Sequence, residues 1–199
     1  LGELTNHVIL IPVTITVMCF TAAANAFNDF IDFKIDKINN PSRPIPSGRV
    51  NKKTALQSAI LLTLIGSIFC FKLSQSAIIL GVFITLPLIA LYSTVFKGLP
   101  LIGNMITSLI LSLSFIFCGL AFNNMAPMIV PCFLSFGLTL LREVVKDISD
   151  LKGDMALGLK TLPVCIGLKQ SCNLVIFFSA VIFFCSFIPF IIGIYGIWY

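Results

Sequence analysis

Charge is what this sequence has least of. Asp, Glu, Lys and Arg make up 11% of its 199 residues, hydrophobic residues make up 58%, and the mean hydropathy is +1.05. A soluble domain carries about a quarter charged residues, so this chain cannot cover a water-facing surface. Histidine is nearly absent: His7 stands alone at the edge of the first apolar run and reads as an interfacial residue, with nothing nearby to make a metal site. The seven cysteines (Cys19, Cys70, Cys118, Cys132, Cys165, Cys172 and Cys185) include no CxxC pair, and most sit inside apolar runs. That excludes the common zinc spacings and leaves them as small buried hydrophobes. No charged n-region with a small-residue cleavage site precedes the first apolar run. The chain starts at Leu1 and stops at Tyr199 inside an apolar stretch, which reads as a fragment trimmed at both ends.

What the sequence does have is nineteen Phe and a series of long apolar runs. Inside a bilayer each segment must satisfy its own backbone hydrogen bonds, which favours helices, and about 20 residues cross the hydrocarbon core. Runs at 7–28, 54–71, 77–96, 100–121, 126–145 and 171–190 meet that length, with a further stretch toward Tyr199. The expected fold is an all-α, multi-spanning transmembrane helical bundle of six or seven spans. Short connections, Lys72 to Ser76, Lys97 to Pro100 and Phe122 to Ala126, imply antiparallel neighbours. Two connections are long and polar, Asp29 to Lys53 and Lys146 to Gln170. If the chain alternates sides, every basic residue except Lys72 falls on the side of the two long loops. The positive-inside bias makes that side cytoplasmic, so a multi-pass protein of the cell membrane is expected. The net charge of +5 is then a topology signal and does not point to nucleic acid. The acids share the same side, all but Glu3. Acidic residues contribute little to topology, so their clustering needs a cause of its own.

The first acidic segment reads NAFNDFIDFKIDKINNPSRPIPSGRV. Asn28, Asp32 and Asp36 recur at i, i+4, i+8, so a helix running to about Asn39 stacks them along one face, with Asp29 beside it. Pro41 then turns Asn40 away from helix. The second reads LREVVKDISDLKGDMALGLKTLPV; Asp147, Asp150 and Asp154 follow i, i+3, i+7, again one face, and Gly153 predicts a break near its end. Like charges at this spacing destabilise a helix by about 0.2–0.5 kcal/mol per pair. A cation between the two faces removes that cost. Magnesium takes one or two carboxylates plus substrate phosphates, so two facing carboxylate sets suit a magnesium-bridged diphosphate. Lys37, Arg43, Lys97, Arg142 and Lys146 are placed to neutralise phosphate oxygens, the two arginines in bidentate fashion. One such segment is as readily a solvated loop as a site. Two of them, each at helical spacing and each following a span, favour the site.

These motifs resemble the UbiA superfamily of intramembrane prenyltransferases. Its NDxxDxxxD motif and the Arg-Pro segment after it match Asn28-Asp29-Phe-Ile-Asp32-Phe-Lys-Ile-Asp36 and Arg43-Pro44-Ile45-Pro46-Ser47-Gly48. Its DxxDxxxD motif matches Asp147 to Asp154, and the stretch Leu91 to Asn104 resembles the connection between the corresponding helices. The likeness spans nearly the whole chain as one membrane prenyltransferase domain, 1–199, with Asp-rich loops at about 29–53 and 146–170. Members usually carry eight or nine spans, so the resemblance implies a piece of a longer bundle. Within the superfamily the second segment is similar to that of the archaeal digeranylgeranylglyceryl phosphate synthases.

The resemblance implies Mg2+ as cofactor and an isoprenyl diphosphate, geranylgeranyl diphosphate, as donor. It implies a lipid-like acceptor, geranylgeranylglyceryl phosphate, drawn from the membrane. It implies a metal set of Asn28, Asp29, Asp32, Asp36, Asp147, Asp150 and Asp154, with Asp32, Asp36, Asp150 and Asp154 as the catalytic carboxylates. Asn28, Lys37, Arg43, Tyr92, Ser93, Lys97, Arg142 and Lys146 are the expected substrate contacts. Arg49, Lys52 and Lys53 are placed to attract the acceptor phosphate, and no residue stands out as the base for its hydroxyl. Two alternatives stay open in the sequence: a prenyltransferase with an aromatic or chlorophyll-type acceptor, and a divalent-cation or phosphate transporter. Transport is disfavoured because the acids lie at the ends of spans, whereas transport sites lie near the midplane on interrupted helices.

Overall fold

A computed structural model describes residues 7–97 and 99–196, and among them there are helices and connecting turns but no strand. Glu3, the side chain of His7 and Tyr199 at the end of the last apolar stretch lie outside the described residues. Helix α1 spans His7–Asn39, α2 Lys52–Cys70, α3 Gln75–Phe96, α4 Ile102–Ala121 and α5 Ala126–Ala156. A short α6, Leu162–Ile166, leads into α7, Leu168–Ser186, which continues through a bend into α8, Ile188–Ile191. Six segments are long and apolar enough to cross a membrane, α7 and α8 forming one of them.

The two Asp-rich segments are not loops. Helix α1 continues to Asn39 and α5 to Ala156, so the polar connections begin later than about 29 and 146. At 1.5 Å per residue, the 33 residues of α1 run ~50 Å, some 20 Å more than a hydrocarbon core of ~30 Å. The surplus carries the acids beyond the apolar layer while keeping them on a rigid rod. The break expected at Gly153 does not occur, because that glycine is there for a close approach from α1, described below.

Helices pack as antiparallel neighbours, α1 on α2 and α4 on α5, with α5 also against α7. The α1–α2 contact is close because Gly66 has no side chain: a Cβ there would sit 2.6 Å from the Phe20 ring, and Thr16 Oγ1 donates to the Gly66 carbonyl at 3.3 Å. Ser74 starts α3 by accepting from Ala77 N–H, and its hydroxyl donates to the Leu120 carbonyl, 2.9 Å away at the end of α4. The apolar core lies at this end of the bundle, where Val13, Phe20, Cys70, Ala77, Leu80, Phe117 and Ala121 close on one another. The outer faces carry exposed Phe133, Phe177, Phe183 and Phe184, as suits a surface solvated by lipid.

Helix α3 widens twice into i→i+5 turns, at Ile79–Thr85 and Tyr92–Phe96. The second has a positional effect. Residues five apart stand ~140° apart around an α-helix, but the Lys97 N–H bonds to the Tyr92 carbonyl at 2.9 Å, so one wide turn brings both residues to the same face. Such turns recur at functional sites.

Candidate active site

The aspartates of α1 and α5 meet. Asp32 and Asp36 from α1 and Asp147, Asp150 and Asp154 from α5 line one cavity of about 50 Å3. Asp32, Asp36 and Asp154 are buried, with 7%, 3% and 4% of their surface exposed. Glu143, an acid without an assigned role in the sequence, is also buried and lines the same wall. Six carboxylates thus face two ammonium groups, Lys97 and Lys146, and Arg43 reaches in from the rim to Asp36. With Arg142 on Glu143 counted as well, the site is short of about two positive charges before any phosphate is added. Helix polarity adds to this, since Asp36 and Asp154 stand near the C-terminal ends of their helices, where the macrodipole disfavours an anion by about 0.3–1 kcal/mol. The last turn of α5 holds no basic residue.

Each carboxylate has a partner, Asp150 the weakest: the adjacent Ser149 Oγ donates to Asp150 Oδ1 at 3.4 Å. Lys97 pairs with Asp32. Arg43 Nη1 bonds to Asp36 Oδ2 at 3.0 Å and reaches Asp29 Oδ1 at 3.5 Å. Buried Asn104, in the first turn of α4, donates from Nδ2 to Asp147 Oδ2 at 2.8 Å. Thr161 Oγ1 donates to Asp154 Oδ2 at 2.8 Å. Arg142 Nη2 bonds to Glu143 Oε1 at 2.6 Å. Ser93 Oγ lies 2.5 Å from Asn28 Oδ1 and 3.1 Å from the Ile89 carbonyl. A hydroxyl has one proton to give. That proton is shared between Asn28 Oδ1 and the Ile89 carbonyl, both of which accept from Ser93 Oγ.

A second cavity, about 610 Å3, opens from the same place, and Asp32, Tyr92, Lys97, Glu143 and Lys146 line both. It runs inward past Ile89 and Ile110 to Thr16, Phe20, Gly81 and Phe117. From Asp32 to Thr16 along α1 is ~24 Å at 1.5 Å per residue, most of the depth of a hydrocarbon core. Among the described residues its inner end is floored by the apolar core, at Phe20 and Phe117. The shape is a polar mouth over a long, mainly apolar cleft that ends against the core.

Of the residues singled out in the sequence, Asn28, Asp29, Asp32, Arg43, Tyr92, Lys97, Arg142 and Lys146 line the large cavity; Asp36, Asp147, Asp150 and Asp154 line the small one. Ser93 supports Asn28 from behind. Lys37 is not brought in. It follows Asp36 directly, so it is rotated ~100° off that face, and its ammonium stands 4.5 Å over the Phe33 ring. Arg49 is turned to Ser47 and Ser42, and Lys52 lies over Phe30 and Phe33. The sequence reading missed Asn39, Asn104 and Thr161 as partners of the acidic helices. They are uncharged, and although Asn39 continues the face of Asp36 and Asn104 closes the stretch noted for its resemblance, nothing in the sequence marks their distant partners.

Among the described residues no three His, Cys, Asp or Glu side chains converge as a ready-made metal site. The donor set is still suited to magnesium: all-oxygen, strongly anionic and set on two facing walls. Such an ion dehydrates reluctantly and binds through one or two carboxylates together with phosphate oxygens and water, without a cage made wholly of protein.

A multi-pass membrane bundle with acidic helix ends over a long, mainly apolar cleft has the shape of an enzyme for polar-headed, lipid-tailed substrates. The profile of the UbiA prenyltransferase family matches residues 2–199, and the chain belongs to that family. The digeranylgeranylglyceryl phosphate synthase of Haloquadratum walsbyi is 39% identical over 181 residues, covering 90% of this chain and 63% of that protein. That of Methanothrix thermoacetophila is 41% identical over 155 residues, 78% of this chain and 58% of the relative. The chain therefore spans about three fifths of the length of these curated relatives. A solved structure described as giving insights into digeranylgeranylglyceryl phosphate synthase in membranes superposes with a TM-score of 0.72 at 31% identity, over 96% of this chain and 68% of its own. A UbiA homologue from Archaeoglobus fulgidus, solved with DMAPP and Mg2+, superposes with a TM-score of 0.70 at 18% identity, over 86% of this chain and 62% of its own. That last likeness is one of fold.

Proposed function

We propose that this chain is the prenyl-transferring domain, 1–199, of a magnesium-dependent enzyme that moves a geranylgeranyl group from its diphosphate to the free glycerol hydroxyl of geranylgeranylglyceryl phosphate. The observation that carries the reading is the meeting of two aspartate-bearing helix ends at the mouth of a long apolar cleft. The named relatives support the choice of acceptor.

In the reaction the allylic carbon–oxygen bond to diphosphate breaks, the acceptor oxygen bonds to that carbon, and the hydroxyl proton is released with the diphosphate. Magnesium, when bound, supplies positive charge to the departing diphosphate oxygens. Asn28, Asp29, Asp32, Asp36, Asp147, Asp150 and Asp154 are the residues that would hold it. Lys97 and Lys146 at the shared mouth, with Arg43 and Arg142 on the wall of the larger cavity, direct fixed positive charge at the same leaving group, which is electrostatic stabilisation set up in advance. The cleft from Ile89 to Phe117 takes the tail and excludes water from the allylic carbon as positive charge develops there. Tyr92 presents its ring at the junction, where cation–π attraction is worth roughly 0.5–2 kcal/mol. Among the described residues the inner end of the cleft meets the apolar core with no polar path beyond it, which argues against transport. The grouping of basic residues on the side of the acids supports a cell-membrane protein whose active-site mouth faces the cytoplasm.

The test is incubation of the full chain with labelled geranylgeranyl diphosphate and magnesium, against geranylgeranylglyceryl phosphate and an aromatic acceptor in parallel. Label should pass to the glycerol lipid. If Asp32→Ala and Asp150→Ala leave magnesium-dependent transfer intact, the assignment of the site is wrong.

A further inference from the structure

Asn39 is the last residue of α1, one turn beyond Asp36 on the same side of the helix. Its carboxamide lies across α5 and uses both ends. The Gly153 backbone N–H donates to Asn39 Oδ1 at 2.9 Å, and Asn39 Nδ2 donates to the Asp150 carbonyl at 3.1 Å. Among the described residues these are the two hydrogen bonds that join α1 directly to α5. Both anchors are backbone atoms, so the link holds the helix itself in place and does not depend on a side-chain rotamer. Both fall inside the second acidic stretch, at Asp150 and at the residue before Asp154.

The local sequence is built to admit this group. A Cβ on residue 153 would run into Asn39 Oδ1, Cγ and Nδ2, so any other residue there displaces the carboxamide. That close approach, and no helix end, accounts for Gly153 in the interior of α5. Asparagine is also specific at the other end. Asp in its place would set a carboxylate against the Asp150 carbonyl, and Ala would make neither bond. The other partners of the carboxylates act within one motif or tie it elsewhere: Arg43 braces Asp29 and Asp36, Asn104 ties Asp147 to α4, and Thr161 holds Asp154.

We infer that Asn39 is a positioning residue that fixes the separation of the two carboxylate walls, so that a cation–diphosphate is grasped from both sides at once. This rests on the proposed magnesium-dependent reading. The test uses the full chain in lipid, with Asn39→Ala, Gly153→Ala and the double variant. Binding of Mn2+ in the presence of inorganic pyrophosphate is followed by the loss of free-ion EPR signal. The magnesium concentration for half-maximal transfer and the maximal rate are measured separately. Each single variant should weaken Mn2+–pyrophosphate binding about tenfold, equivalent to about 1.4 kcal/mol. The half-saturating magnesium concentration should rise in step, and the rate at saturating magnesium should change less than threefold. The double variant should fall no further than Asn39→Ala, because Gly153→Ala acts by displacing a carboxamide that is already gone. Where Asn39→Ala does not accumulate, Asn39→Ser, polar but too short to span both anchors, should show the same loss. Unchanged Mn2+ binding in the Asn39 variants, or losses that add in the double, overturns the positioning role. A wild-type chain that binds no Mn2+ with pyrophosphate overturns the magnesium reading itself, a result distinct from either.

Discussion

Lys97 has two roles that one substitution pulls in opposite directions. In the structure its ammonium pairs with Asp32, with 22% of the Lys97 side chain exposed and 8% of that of Asp32. In the proposed reaction the same ammonium faces the diphosphate. Lys97→Met keeps the apolar stem and removes the charge, leaving Asp32 among six carboxylates with Lys146 as the one remaining ammonium on the cavity wall. A unit charge pair at 4 Å is worth about 1 kcal/mol in water and about 4 kcal/mol near a protein surface. The partial exposure of Lys97 places this pair between the two, at about 2 kcal/mol, or about thirtyfold in a binding constant. A divalent cation no longer competes with the ammonium for Asp32, so magnesium alone should bind up to about thirtyfold more tightly to the variant. The prenyl diphosphate loses a positive contact, so its KM should rise by a factor of ten or more. Calorimetric titration of the full chain with magnesium, without diphosphate, reads the first quantity, and steady-state transfer reads the second. Magnesium binding that weakens or stays level in Lys97→Met would refute the placement of a cation beside Asp32.

Other outcomes follow from single contacts. Asn104→Ala strips Asp147 of a charge-assisted bond worth about 1.5–3 kcal/mol; kcat/KM should fall at least tenfold, and the thermal midpoint should drop by several degrees as well. Thr161→Val, nearly isosteric, frees Asp154 and should raise the half-saturating magnesium concentration without changing the KM for the acceptor. Gly66→Ala drives a methyl into the Phe20 ring. Overpacking of that kind costs about 1–3 kcal/mol, and it should lower the thermal midpoint with the magnesium dependence unchanged.

The spans were legible because they depend on composition, and composition survives in a linear chain. The acidic faces were legible because Asn28, Asp32, Asp36 and then Asp147, Asp150, Asp154 repeat at the period of a helix. The continuation of α1 and α5 through those acids is the same periodicity taken further; Asn39 had already been marked as the end of the first. What stayed hidden were contacts between residues far apart in the sequence. Asn39 and Gly153 are 114 residues apart, and Asn104 and Asp147 are 43 apart. An uncharged amide that serves a distant backbone leaves no trace in hydropathy or charge. Gly153 was visible but misread, because a glycine that ends a helix and one that admits a neighbour look alike in a string of letters. Lys37 was misplaced for a simpler reason: nearness in sequence to Asp36 was weighed above the rotation of one residue around the helix. The wide turn at Tyr92–Phe96, which brings Tyr92 and Lys97 to one wall, reflects a hydrogen-bond shift that side-chain pattern does not encode.

The apolar floor formed by Val13, Phe20, Cys70, Ala77, Leu80, Phe117 and Ala121 bears on more than the fit of a tail. On the proposed reading the chemistry takes place at one membrane surface, and among the described residues the apolar floor gives the cleft no passage to the other. A product with two long tails must leave through the side or mouth from which its precursors came. New lipid is then delivered to a single leaflet, and that leaflet grows while its partner does not. A membrane fed this way stays balanced only if some other protein moves lipid across, so the apolar floor makes bilayer growth a two-component task.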